Sequence, residues 1–112
     1  MKNYISEGDV LTMIAPSGGV VSGQPYLIGS AFGIAAAAAA QGEEFEMLTE
    51  GVFDVTKAGS QAWTQGAAVF WDNTARNFTT TASGNTRVGV AVRAVGNGAG
   101  ETTGRVRLNG TF

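Results

Sequence analysis

The residues of this chain that are able to do chemistry are few. Glu43, Glu44, Glu46 and Glu50 fall within eight positions, Lys2 and Lys57 are the only lysines, and His and Cys are absent. Paired carboxylates are the minimum for acid–base cleavage of a glycosidic bond. On an extended strand, however, Glu44, Glu46 and Glu50 share the solvent face, where ordinary surface acids belong. Nucleophilic catalysis needs a base beside Ser, Thr or Cys. Here only a Ser–Lys pair drawing on Lys2 or Lys57 is left. No Asp-x-Asp-x-Asp-Gly calcium loop occurs, and transition-metal sites usually use His or Cys. Asp72-Asn73-Thr74 offers oxygens, but it reads better as an Asx turn closing a strand. Phosphate loops are missing too: neither lysine follows a glycine, and Gly96-x-Gly98-x-Gly100 precedes no helical pattern. The expectation is a protein that is not an enzyme, with no cofactor, no metal and no small-molecule substrate.

Composition points the same way. The chain has 112 residues, enough for one domain, with 44% apolar and 14% charged residues and 17 Gly. The charged share is well below the usual one of about 25%, so Thr, Ser, Asn, Gln and backbone must supply the surface polarity. Seven Lys+Arg against nine Asp+Glu leave no basic field for phosphates, which argues against nucleic acid. The longest apolar stretch, Ala31 to Ala40, is half a membrane span. The N-terminal residues carry no apolar signal region. A soluble protein kept in the cytosol is expected, with no membrane partner.

The elements that must position these residues are short alternating segments cut by glycine turns. From Glu44 to Lys57, Phe45, Met47, Thr49, Gly51, Phe53 and Val55 fall on one parity, and the acids fall on the other. Period-two alternation predicts a strand with one buried face. Fourteen extended residues would span roughly 46 Å, more than the diameter of about 34 Å expected for such a domain. The strand must bend or break, and Gly51 is the expected place. Arg87 to Val95 predicts a strand with Val88, Val90, Val92 and Ala94 inward. Gly104 to Asn109 predicts another, with Val106 and Leu108 inward. Asp9–Ile14, Tyr26–Ile28, Ala68–Trp71 and Asn77–Thr81 complete the set. The fold class expected is all-β, a small barrel or sandwich of about 7–9 short antiparallel strands.

Two segments are ambiguous. Ala35 to Ala40 has high helix propensity but is too short to nucleate a helix. Phe32 to about Ala37 is read as strand and Ala38 to Gly42 as turn. Lys57 to Trp63 has room for a single helical turn, the one helical element expected. There is also a trace of repetition: Gly23-Gln-Pro-Tyr-Leu-Ile28 resembles Gly66-Ala-Ala-Val-Phe-Trp71. The plainer reading is that hairpins look alike; the sharper one is a pseudo-duplicated barrel.

The remaining candidates are partner contacts. Phe70 and Trp71 are adjacent on a strand and so face opposite sides of the sheet, which leaves one for a second core layer or an interface. Tryptophan is enriched at interfaces, so Trp63 and Trp71 are candidate interface residues. Arg87 and Arg93 join them as a face able to pair with a neighbouring acidic subunit. Residues 1–8 read as a terminal arm ahead of a single β domain over 9–112, and its Tyr4 and Ile5 are candidate anchors in a partner's pockets.

Several stretches together resemble a known family: Tyr4-Ile-Ser-Glu-Gly-Asp-Val-Leu-Thr12, Ala15-Pro-Ser-Gly-Gly-Val20, Ile28-Gly-Ser-Ala-Phe-Gly-Ile-Ala35, Val69-Phe-Trp-Asp72, Gly89-Val-Ala-Val92 and Val106-Arg-Leu-Asn-Gly110. The chain is similar over essentially its whole length to a small phage and prophage family of capsid decoration, or cement, proteins. Some members carry a RecA-type recombinase label, which the missing phosphate loop here contradicts. The resemblance implies a β-rich protein, often a homotrimer, whose partner is the major capsid protein. It would bind the outside of an icosahedral head and stiffen it, residing in the virion after assembly in the host cytoplasm. The matching motifs are glycines and strand residues, so no site residue is carried over. A tail or baseplate structural protein and a small β-barrel carrier module are the alternatives; a carrier needs a lysine at a hairpin tip, and none occurs from Asn3 to Thr56.

Overall fold

A computed structural model describes residues 9–110. Among these the chain is all-β, with nine strands: β1 (Val10–Ile14), β2 (Pro25–Ile28), β3 (Ala31–Ala35), β4 (Glu44–Leu48), β5 (Glu50–Thr56), β6 (Ala68–Asp72), β7 (Asn77–Thr79), β8 (Thr86–Ala91) and β9 (Thr103–Asn109). They form two antiparallel sheets, ordered β1-β4-β3-β2 and β5-β9-β8-β6-β7. Two compact units divide between Glu50 and Gly51. Residues 1–8, with Tyr4 and Ile5, lie outside the described residues.

The alternating segment from Glu44 is cut into β4 and β5 at Thr49, two residues before Gly51. Thr49 is buried, and its amide and hydroxyl both donate to the carbonyl of Asp9, at 2.9 and 3.0 Å. Those two bonds tie the end of β4 back to the start of β1, and the next residue opens a strand of the other sheet. The length problem is therefore solved by a change of sheet. The alanine run is strand through Ala35 and then turns. Ala36 donates to Glu46 and Ala39 exchanges both bonds with Val20, so no helix forms. The single helical turn expected between Lys57 and Trp63 is absent; Gly59 and Ser60 make a plain turn, and Trp63 bridges Val95.

The two units are built on one plan. With β7 set aside, each runs first strand, fourth, third, second across its sheet. The registers agree as well. Tyr26 faces Gly33 and Ile34 faces Leu48 in the first unit; Val69 faces Gly89 and Val90 faces Arg107 in the second. The loops repeat too. Gly23 donates to Ala35, whose amide donates to Gln24; Gly66 donates to Ala91, whose amide donates to Ala67. Even the close approach recurs. A Cβ on Gly33 would strike the Leu48 carbonyl, and one on Gly89 would strike that of Arg107. The repetition traced in the sequence thus extends to strand order, register and loop bonding. β7 has no counterpart among the described residues of the first unit.

Packing differs inside the shared frame. In the first unit Ala15, Val20, Ala35, Phe45 and Met47 form a core beneath the sheet. At the matching positions of the second stand Lys57, Trp63, Ala91, Gly104 and Val106. A small Val20 beside a large Phe45 is replaced by a large Trp63 beside a Gly104 whose Cβ would enter the indole ring. Volume moves from one strand to the facing loop while the space stays filled, as interior packing density demands. The second sheet also curls until its ends meet: Lys57, just after β5, bridges Phe78 of β7 in parallel. A bulge in β8, with Val88 as the extra residue opposite Val69 and Phe70, shifts the β6–β8 register. It reverses the inward parity of β8, so Val88, Gly89 and Ala91 are buried while Val90 and Val92 are half-buried. This corrects the uniform valine face expected from the sequence.

Candidate functional site

Lys57 is the one buried charge among the described residues, 1% exposed. It continues the inward parity of β5, and the sequence reading missed it although the alternation pointed there. Its Nζ donates to the carbonyl of Ala58 at 2.8 Å and to that of Glu101 at 3.1 Å. It also lies 5.8 Å from the centre of a Trp63 ring. Two carbonyl dipoles and an aromatic face supply partial negative charge to the ammonium, and no carboxylate or serine partner is placed on it. The arrangement is a clasp between β5 and the loop before β9.

Trp63 and Trp71 are both interior, 1% exposed each. The Trp63 indole donates to Gln61 Oε1 at 3.0 Å, and the same oxygen accepts the Thr80 amide at 2.8 Å. The Trp71 indole donates to Asn73 Oδ1 at 2.9 Å and meets Phe78 edge to face, with centroids 5.1 Å apart. Arg76 covers it from outside, 5.0 Å from the ring centre. Asp72 Oδ1 accepts the amides of Thr74 and Ala75, both at 3.0 Å. The expected Asx turn is therefore what closes β6.

Exposed charged residues lie on strands of both sheets and in the loops, the latter including Glu43, Arg76, Arg93 and Glu101. In the first unit β4 presents Glu44 and Glu46, both exposed, opposite Ile14 and Thr12 of β1. In the second β9 presents Arg105 and Arg107, with Arg105 held to Asp54 of β5 by two bonds of 2.8 and 3.2 Å. That hydrogen bonding, reinforced by the charge of Arg105 and of Arg93, holds the Asp54 carboxyl below its ordinary value of 3.8. Arg87 and Arg93 are exposed on the same unit. Ile14 and Val52, 57% and 56% exposed, sit beside these charges as large apolar residues left in water. Among the described residues no group of three His, Cys, Asp or Glu is placed to hold a metal. No helix there is long and apolar enough to cross a membrane.

Both units offer sheet surface that mixes charged and apolar residues. A family model described as phage cement protein matches residues 5–108. The chain belongs to that phage cement family. No curated protein and no solved structure matches it. The match spans both units, so the duplicated frame as a whole is the cement module. A structural, capsid-associated role in the phage particle follows from membership.

Proposed function

We propose that this protein decorates the outer surface of an icosahedral phage or prophage head as a homotrimer, with the major capsid protein as its partner. It is made in the host cytoplasm during assembly and ends in the virion. The observation that carries this reading is the cement-family match across residues 5–108. The polar-faced double sheet supports it, because a mechanical clamp needs stiff surface and no turnover. Arg87 and Arg93 are the exposed members of the expected interface set and are assigned direct contact with the shell. Trp63 and Trp71, being interior, contribute by holding the second unit in shape. Residues 1–8 are assigned to a capsid edge, where main-chain pairing gives affinity and Tyr4 and Ile5 fill pockets.

The test is to add purified protein to undecorated heads and measure occupancy together with the temperature at which heads release DNA. Saturable binding that raises this temperature is expected. Arg87→Ala/Arg93→Ala and a chain lacking residues 2–7 should each fold normally yet lose occupancy. Binding to tails or baseplates with bare heads would replace this reading by the tail alternative.

A further inference from the structure

The turn that leads into the last strand of each unit is closed by a carboxylate. In the first unit the Ala40 amide donates to Glu43 Oε1 at 2.9 Å, and the Glu43 amide donates to the Ala40 carbonyl at 3.0 Å. In the second the Gly98 amide donates to Glu101 Oε2 at 2.9 Å, and the Glu101 amide donates to the Gly98 carbonyl at 3.1 Å. The residue before the bonded amide differs. It is Ala39 in the first unit and Asn97 in the second. Asn97 and Gly98 are exposed in a stretch without regular structure, and Gly98 has no side chain to shield its nitrogen. The glycines also admit the acid. A Cβ on Gly96 would strike Glu101 Oε2, and one on Gly98 would stand 3.1 Å from it.

We propose that Asn97–Gly98 is a self-modifying site, at which the Asn97 side chain loses ammonia with Glu101 as the proton acceptor. The Gly98 nitrogen attacks the Asn97 side-chain carbonyl carbon while its proton passes to Glu101 Oε2. The new C–N bond closes a cyclic imide as the bond to the side-chain nitrogen breaks, and the proton leaves with that nitrogen as ammonia. Water then opens the imide on either side, leaving aspartate or isoaspartate. A water is consumed, an ammonia is released, and nothing is oxidised or reduced. The geometry suits the transfer, because a proton acceptor must lie within hydrogen-bond reach of the proton it takes. The N–H bond to Glu101 lies in the peptide plane, so the faces of the Gly98 nitrogen stay open to the asparagine carbon. In the first unit the same carboxylate closes the same turn, but Ala39 has no amide to attack. Modification adds a negative charge to the loop whose Glu101 carbonyl holds Lys57.

The chain supplies its own comparison. Asn109–Gly110 is the other Asn-Gly pair, but Asn109 ends β9 and is half-buried, where strand pairing fixes the backbone that ring closure must turn. Peptide mass spectrometry, with an isoaspartate-specific methyltransferase, reads each site in folded protein aged in warm neutral buffer. Asn97 should be modified faster than Asn109. Glu101→Gln keeps an oxygen for the Gly98 amide and removes the charge. It should slow Asn97 about tenfold, a modest factor because a carboxylate is a weak acceptor for an amide proton. The wild-type rate should rise less than in proportion to hydroxide, and the variant's rate in proportion to it. In urea the two chains should react alike. If Glu101→Gln fails to fold, Glu101→Asp draws the carboxylate back from Gly98 and should slow Asn97 as well. A folded variant that reacts at the wild-type rate or faster overturns the proposal, since a bond that only shapes the turn would protect Asn97 rather than activate it. So does an Asn97 that stays intact or reacts no faster than Asn109.

Discussion

At Lys57 the chain places an ammonium where its own first unit has Ala15. The stem packs like a core side chain, and the head is satisfied by the Ala58 and Glu101 carbonyls. Lys57→Met keeps the stem and abandons both carbonyls, so a loss of about 1–3 kcal/mol is expected. Lys57→Ala adds a cavity and should cost about 3–5 kcal/mol. Urea unfolding of the two variants separates the head from the stem. Asp54 sets a pH dependence. Its carboxyl is lowered in the folded chain by Arg105, so the pair contributes fully above the ordinary carboxylate range and is lost as pH falls through the folded value. Melting temperatures should fall more steeply below about pH 4 for the wild type than for Asp54→Asn. Equal slopes would mean that the pair contributes nothing measurable.

At the scale of elements, the Val20/Phe45 and Trp63/Gly104 exchange makes a reciprocal prediction. Trp63→Val should cost about 3–5 kcal/mol through the cavity it leaves. Gly104→Phe alone should prevent folding by driving a ring into the indole. Combined, they transplant the first unit's packing into the second, so the double variant should be more stable than either single one, as chemical denaturation would show. Much of this layer was legible in the sequence. Alternation located β4, β5 and β9, and the glycine turns located most boundaries. Two things were not. The change of sheet at Thr49 depends on a long-range bond to Asp9, which no local pattern encodes. The bulge at Val88, the extra β8 residue opposite Val69 and Phe70, reverses the facing of β8 midway while the valine alternation continues unbroken. The duplication was half visible, in the Gly23 and Gly66 segments. The extra strand β7 and the differing loop lengths spoil a constant spacing, so registers rather than residues reveal it. Of the site, the exposed arginines were legible and the inward parity of β5 reached Lys57, whereas burial of both tryptophans depended on how the second sheet curls.

For the molecule as a whole, charge is sparse but segregated. A net −2 conceals a first unit whose described charges are all acidic, Asp9, Glu43, Glu44, Glu46 and Glu50, and a second that holds every arginine. Stability should come from sheet packing alone. Far-UV circular dichroism should show a β spectrum with little helix, and chelator should leave the melting temperature unchanged, because no described cluster is placed to hold a metal. A chelator-induced drop of several degrees would point to an ion bridging copies.

The buried amine of Lys57 also has a practical reach. The chain has one other lysine, Lys2, so amine-directed acylating reagents have a short list of lysine targets. Lys57 can be acylated only when the clasp over it opens, since its nitrogen is enclosed and held by carbonyls. Its labelling rate, read by peptide mass spectrometry, therefore reports the opening equilibrium of the second unit directly. The same measurement works on an assembled particle, where optical melting is swamped by the shell and its nucleic acid. Slower acylation of Lys57 on heads than in free protein would measure how much the capsid stiffens its own cement.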